Sequence, residues 1–492
     1  MWRIFEWPRL NLPVPVLVKR FAAPEWVFNL GMVIPVRVKV SSDASTNVHQ
    51  DDLWAEANLR AAGQALGASI AFRLFKRAVS GILEAAPRWG FTMLALEPGL
   101  IELEEKYGAH NYHPLDVTIE RALGAWVYDV DGRQYLDFLA AYSAVNQGHC
   151  HPAILKAMTD QAQRVTITSR AFRNDQLPLL YRDLNELTGF EMALPMNSGV
   201  EAVETALKAA RKWGETVKGV PAGQAEIIVC TNNFHGRTIS VVGFSSEAQY
   251  RSGFGPFPVG FRQVPFGDAE ALRAAITPHT VAFLVEPVQG EAGIIVPPEG
   301  YLAEAAAICR ANRVLLMCDE IQSGLGRTGR LFAFEHDGIR PDVCIVGKAL
   351  SGGFYPVSAV LASREVLGVF QPGDHGSTFG GNPLACAVAR AALRVVVEEK
   401  LPQRSAELGA YALDRLRRLN APCVAAVRGK GLWIGIELTI AARPVCEALQ
   451  RRGVLCKETH ETVIRLAPPL MISREDLEWG LDQIEAVLLA HG

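Results

Sequence analysis

Short, almost wholly apolar runs recur along this chain, and stretches of helix-forming composition separate them. Ile227 to Cys230, Ala282 to Val285, Val314 to Met317 and Val343 to Val346 are apolar at nearly every position rather than at every second one. That pattern predicts strands buried on both faces, as in a parallel sheet covered by helices. Val127 to Val130 and Tyr135 to Phe138, joined through Asp131-Gly132, predict a hairpin. The fold class expected is α/β with a mainly parallel sheet.

Organisation changes near residue 97. Before it lie Pro-rich extended pieces (Trp7-Pro8, Leu12-Pro13-Val14-Pro15) and an amphipathic helix expected around Leu59 to Leu83, none of it carrying recognisable chemistry. A transit peptide fits poorly with Glu6, Glu25, Asp51 and Asp52. The abrupt onset of strong pattern makes Met93 the expected biological start and residues 1–97 an extension of no assigned role.

Composition narrows the function classes. The 492 residues predict two or three domains. Lys+Arg number 49 against 52 Asp+Glu, a formal net charge of -3, so no overall field favours nucleic acid or an anionic membrane. The 9 cysteines stand singly between Cys150 and Cys456 with no Cys-x-x-Cys pair, which argues against a disulfide framework or a zinc site and predicts a reducing compartment. No run reaches the roughly 18 uninterrupted apolar residues of a membrane span. A soluble, cytoplasmic protein without metal is expected, with the mitochondrial matrix the lesser alternative.

Chemistry gathers where the apolar runs end. In an open parallel sheet ligands sit beyond the carboxyl ends of the strands, and those ends carry Asn232-Asn233-Phe234-His235, Glu286, Asp319 and Lys348. A lysine amine can carry an aldehyde cofactor covalently, and a buried carboxylate can keep a pyridine nitrogen protonated. Lys348 and Asp319 together therefore suggest a pyridoxal phosphate site. A lone lysine after a strand is more often a solvated loop residue, so the neighbours decide. Ser198 and Glu201 form a Ser-x-x-Glu capping box before the helix-forming stretch Glu201 to Trp213, and Gly199 lets backbone approach an anion at that helix start. A second glycine-rich segment, His375 to Pro383, adds hydroxyl groups and flexible backbone.

Six strings then occur together and in order: Met196-Asn197-Ser198-Gly199-Val200-Glu201-Ala202, Phe234-His235-Gly236-Arg237-Thr238, Glu286-Pro287-Val288-Gln289-Gly290-Glu291, Asp319-Glu320-Ile321-Gln322, Gly347-Lys348-Ala349 and Gly376-Ser377-Thr378. They resemble the class III pyridoxal phosphate aminotransferases over residues 100 to 492. The resemblance implies fold type I, with a large domain at 150–386 and a smaller one built from 98–149 and 387–492. It also implies a pyridoxal 5'-phosphate cofactor carried by Lys348. Asp319 would meet the ring nitrogen, Phe234 would stack on the ring, His235 would be among the cofactor-binding residues, and Gln322 would bond the phenolic oxygen. Ser198, Gly199 and Val200 would receive the phosphate, with Thr378 reaching the phosphate of a neighbouring subunit, which requires a homodimer.

Within that family the ornithine-specific branch is the nearest likeness, through His110 to Leu115, Tyr142 to His149 and Ile464 to Leu470. His235 stands where some of its members have tryptophan, and Ser198 where some have threonine. The resemblance implies that Tyr112, Tyr142 and Arg237 receive the substrate, and that Glu291 covers Arg465 while L-ornithine is bound and uncovers it for the diacid 2-oxoglutarate. Arginine suits a carboxylate because its fork binds two oxygens at once. The expected reaction moves the 5-amino group of ornithine to 2-oxoglutarate. Two alternatives stay open: an acetylornithine, 4-aminobutyrate or other ω-amino acid aminotransferase, and a non-catalytic scaffold on the same fold.

Overall fold

A computed structural model describes residues 99–491, and before them only the strands at 27–29, 35–37, 39–41 and 90–92. Met93 and the helix expected at Leu59 to Leu83 lie outside the described residues. The chain divides into two compact units, Met1–Thr118 and Ile119–Gly492. In the first, Leu100–Tyr107 is a helix whose Glu102 carboxylate accepts the Gly99 N–H at 3.1 Å.

The second unit begins with strands β1 (Ile119–Leu123), β2 (Trp126–Asp129) and β3 (Gln134–Asp137). There follow β4 (Met192–Met196), helix α1 (Gly199–Trp213), β5 (Glu226–Cys230), β6 (Phe261–Val264) and β7 (Thr280–Val285). Next come β8 (Leu315–Asp319), β9 (Val343–Val346) and β10 (Ser358–Ala362). After helices α2 (Pro383–Glu398) and α3 (Leu401–Arg417) come β11 (Val424–Lys430), β12 (Trp433–Leu438), β13 (Val454–Leu455), β14 (Lys457–Thr459) and β15 (Val463–Leu466).

Seven strands form the central sheet in the order β6-β5-β7-β8-β9-β10-β4. The five from β6 to β9 are mutually parallel, in registers such as Leu284 with Met317 and Cys318 with Cys344. β10 is the exception: it runs antiparallel to both β9 and β4. The sheet is therefore α/β and mixed, as is common in large sheets. Successive side chains alternate faces. Ile227, Val229, Leu284 and Met317 pack with Ala202, Val203 and Ala206 of α1 on one side. Ile228, Phe283, Val285 and Leu316 pack with Leu180, Leu184 and Leu302 on the other. Burial on both faces is the physical reason those runs are apolar throughout.

Two smaller sheets complete the unit. β13 lies parallel to β3 in the order β13-β3-β2-β1, and β11-β12-β15-β14 form an antiparallel sheet. A third core joins them, with Leu136 and Phe138 packed among Val388, Leu408, Ile436, Val454 and Ile484. Arg327 is fully buried there; its guanidinium donates to the carbonyls of Leu432 (2.9 Å) and Pro468 (2.7 Å) and to Asn146 Oδ1 (2.5 Å). Three acceptors offset the desolvation of a charge that would otherwise be prohibitive.

Candidate active site

The carboxyl edge of the central sheet collects the reactive side chains. Asp319 is the last residue of β8, Glu286 directly follows β7, Lys348 stands two residues beyond β9, and the loop Asn232–Gly236 leaves β5. α1 starts three residues after β4 at the same edge, because β4 points the same way as the parallel strands. The Ser358 hydroxyl, at the start of the reversed β10, donates to the Ser198 carbonyl at 2.7 Å and pins that turn.

Beneath the edge lies a buried cluster. His235 Nδ1 is 2.7 Å from Asp319 Oδ2, and the Ile321 N–H donates to Asp319 Oδ1 at 3.1 Å. Burial would lower the His235 pKa, but the hydrogen bond and charge of Asp319, with Glu286 behind them, outweigh it and raise the value. His235 is thereby favoured as a cation facing the Asp319 carboxylate. Glu286 is pushed up to about 7 by burial, and Glu320, buried against Ser323 and the Phe334 amide, likewise to about 7.

These shifts set a pH dependence. A group whose folded pKa is raised contributes stability that is full below its unfolded pKa and is lost as pH rises through the folded value. For Glu286 and Glu320 that loss runs from about 4.5 to about 7, and His235 adds to it above 6.5. The half-buried His336 and partly buried His375, both lowered by burial, act in the opposite sense. The cofactor-free protein is therefore expected to unfold at lower temperature at pH 8 than at pH 5.5. Calorimetry across that interval checks it, and an unfolding temperature that climbs with pH would contradict the buried carboxyls.

Lys348 sits at a positive φ of 41°, partly accessible beyond β9. Its amine is lowered in pKa by burial, against the opposing pull of Glu291, Asp319 and Glu286. Above it Arg465 Nη1 on β15 lies 2.7 Å from Glu291 Oε1, an ion pair by distance that is not aligned as a hydrogen bond and leaves Arg465 Nε without a partner. Gln322 Nε2 approaches the same Glu291 oxygen at 3.4 Å. The Arg465 guanidinium also lies 5.0 Å from the Tyr142 ring. Tyr142 is placed there by an unusual backbone: Ala140, Ala141, Tyr142 and Ser143 all have positive φ, between 46° and 72°. A left-handed turn of non-glycine residues costs roughly 1–2 kcal/mol per residue. Asp137 helps hold it, its Oδ1 accepting the Leu139 and Ala140 amides at 2.8 and 2.9 Å.

Phe234 and Tyr250 meet edge to face at 6.1 Å, and the Arg237 guanidinium lies 3.7 Å from the Tyr250 ring and 5.3 Å from Phe234. The anion cradle is the start of α1. Glu201 folds back to accept the Ser198 N–H at 2.7 Å, and its own N–H donates to Ser198 Oγ at 3.3 Å, the reciprocal capping box. The Gly199 and Val200 amides remain orphans of the first turn, free for an anion. Two glycines keep the cradle close-packed: a Cβ on Gly199 would lie 3.1 Å from Ile321, and one on Gly236 (φ 123°) 2.5 Å from Val200. Asp319, Lys348, a clear helix start and an aromatic beside them form a donor set that fits pyridoxal phosphate.

The structure brings together Lys348, Asp319, His235, Phe234, Gln322, Glu291, Arg465, Tyr142 and the Ser198–Val200 cradle at or above one sheet edge. Thr378 is different. Its loop is held beside α1 by Ser377, which accepts from Asn197 Nδ2 at 2.7 Å, and by His375 at 2.7 Å from Thr205, while Thr378 itself is exposed. Tyr112 belongs to the first unit and is 75% exposed. Sequence reading missed Tyr250, the partner of Arg237, which no motif marks. It also gave no role to Arg327, although Gly-Arg-Thr-Gly within an apolar neighbourhood was a usable signal of a buried, carbonyl-bonded arginine.

Fold and site together define a transferase of fold type I, the architecture of pyridoxal phosphate enzymes. Residues 107–488 match the family Aminotransferase class-III. The chain is 60% identical over 389 residues to the ornithine aminotransferase of Brevibacillus brevis, covering 79% of this chain and 98% of that one. It is 61% identical over 392 residues to that of Bordetella pertussis, covering 79% and 95%. Among solved structures, an ornithine aminotransferase from Toxoplasma gondii superposes with a TM-score of 0.79 at 44% identity, covering 79% of this chain and 93% of that one. An acetylornithine aminotransferase from Elizabethkingia anophelis gives 0.73 at 47%, covering 79% and 98%. The chain belongs to the class III aminotransferases.

Proposed function

We propose that this enzyme transfers the 5-amino group of L-ornithine to 2-oxoglutarate, giving L-glutamate and glutamate 5-semialdehyde, which cyclises with loss of water to pyrroline-5-carboxylate. The observation that carries the reading is the Glu291–Arg465 pair at 2.7 Å beside Tyr142. A neutralised arginine accepts the uncharged methylene chain of ornithine, and the same arginine, once uncovered, clamps the carboxylate of the diacid. The likeness to ornithine aminotransferases at about 60% identity over nearly their whole length supports it.

Pyridoxal 5'-phosphate, when bound, supplies an electron sink for the substrate carbon that carries the amine. Asp319 would hold the proton at the ring nitrogen, supported by His235 at 2.7 Å. Gln322 would donate to the phenolic oxygen, Phe234 would cover one ring face, and Gly199, Val200 and Ser198 would receive the phosphate. Lys348 would carry the group and then serve as base and acid, taking a proton from ornithine C5 and returning one to the acceptor. Burial favours that second task, because a lowered pKa increases the neutral amine. Arg237 would receive the distal end of the substrate.

The exposed Thr378 supports a homodimer in which it reaches the partner's phosphate. Nine free cysteines and the bacterial relatives support a cytoplasmic protein. Among the described residues no helix is long and apolar enough to cross a membrane, and no cluster of His, Cys, Asp and Glu could hold a metal ion.

The acetylornithine aminotransferase structure at 47% identity makes the acetylated substrate the second reading. Mixing the holoenzyme with L-ornithine, N-acetylornithine or 4-aminobutyrate, without oxo acid, and following the cofactor absorbance separates the two. Fast conversion by ornithine alone is expected. Preference for another amine would move the substrate, and no cofactor signal would favour a scaffold.

A further inference from the structure

Glu286 takes no part in the chemistry above, yet its two oxygens are divided between two loops of the site. Oε2 accepts the Phe234 N–H at 3.0 Å, and Oε1 accepts the Gly290 N–H at 3.3 Å. In the proposed mechanism Phe234 covers the cofactor; Gly290 directly precedes Glu291. On the far side of Glu291, the Thr459 hydroxyl donates to the Glu291 carbonyl at 2.7 Å. The backbone around Glu291 is thus tied on both flanks, and close packing removes its remaining play. A Cβ on Gly290 would lie 2.1 Å from Gln322 Oε1 and 2.8 Å from the buried Trp433. Only the Glu291 side chain is left to turn toward or away from Arg465.

We propose that Glu286 is a positioning residue for dual-substrate recognition: by tying the Phe234 loop to the Gly290 backbone, it holds Glu291 where its carboxylate covers Arg465 while the substrate brings no carboxylate of its own. The inference rests on the ornithine and 2-oxoglutarate reading. A neutral glutamine in its place offers one acceptor oxygen and one donating NH2, so it satisfies one amide and opposes the other. The longer of the two bonds, to Gly290, is the one expected to be lost. Loosening Glu291 harms the reaction that needs Arg465 covered and spares the one that needs it open.

The test compares wild type, Glu286→Gln and Glu286→Asp as holoenzymes, measuring the reaction with L-ornithine alone and the reverse conversion with 2-oxoglutarate alone. Leaving a buried amide without its acceptor corresponds to roughly a tenfold change. The expected result for Glu286→Gln is a fall of about that size in kcat/KM for ornithine, with the 2-oxoglutarate value held within about threefold. Amide hydrogen exchange on the cofactor-free proteins should quicken in peptides spanning 231–237 and 286–295 and not elsewhere. Glu286→Asp retains the carboxyl group on a shorter stem and should fall between the two, which keeps the comparison open if the glutamine variant does not fold. Equal losses in both reactions, or unchanged exchange at Gly290, would reduce Glu286 to a structural buried acid and overturn the proposal. Wild type failing with ornithine would instead overturn the substrate reading and the proposal with it.

Discussion

Replacing Lys348 by alanine is expected to lower turnover by at least about 10⁴-fold, because in the proposed mechanism one side chain serves both as carrier of the cofactor and as the proton-transferring group. The surroundings make substitution by water or a neighbour ineffective. Of the other basic groups described at the site, His235 is held by Asp319 at 2.7 Å, Arg465 lies 2.7 Å from Glu291, and Arg237 packs 3.7 Å from the Tyr250 ring. A guanidinium is a poor substitute for an amine as a proton-transferring base. Single-turnover absorbance with saturating ornithine checks the result, and added small primary amines should restore part of the proton transfer. Turnover within tenfold of wild type would remove Lys348 from the mechanism.

Arg465→Ala carries the second large effect, and an asymmetric one. Arg465 is buried, and Glu291 is mostly so. Removing one partner of such a pair typically costs 2–5 kcal/mol, largely because the other charge is left uncompensated. The reaction with 2-oxoglutarate should lose about 10²- to 10³-fold in kcat/KM, since in the proposed mechanism its carboxylate loses the clamp. The reaction with ornithine should lose less, and its KM should rise as the unpaired Glu291 disturbs the pocket. Measuring the two separately decides the matter; equal losses would show that Arg465 holds the pocket together without choosing between substrates.

Much of this architecture was legible in the residues. β5, β7, β8 and β9 were visible as unbroken apolar runs because both their faces are buried, and the capping box placed α1 almost to the residue. Boundaries moved where polar residues take part in strands: β8 extends to Asp319, a buried acid that composition alone ends too soon. The reversal of β10 was not legible, since an antiparallel strand inside a covered sheet is as apolar as its parallel neighbours. Tyr142 was named as a pocket residue from a resemblance, but the left-handed turn that places it leaves no mark on the sequence, as none of its four residues is glycine. The Arg237–Tyr250 contact depends on a loop trajectory that no local propensity specifies.

The pairing of β13 with β3, Val454 beside Leu136, bears on how the chain is made. Synthesis runs from the amino end, so the β1–β3 meander emerges early and waits, its β3 edge uncovered, until almost the entire polypeptide has left the ribosome. The central sheet, whose strands all lie between Met192 and Ala362, has its full complement sooner. Long-range closure of this kind is slow, and open strand edges are adhesive meanwhile. Truncated products ending before Val454 would keep Lys348 yet present a bare strand, which makes them candidates for chaperone capture and for aggregation in the cell.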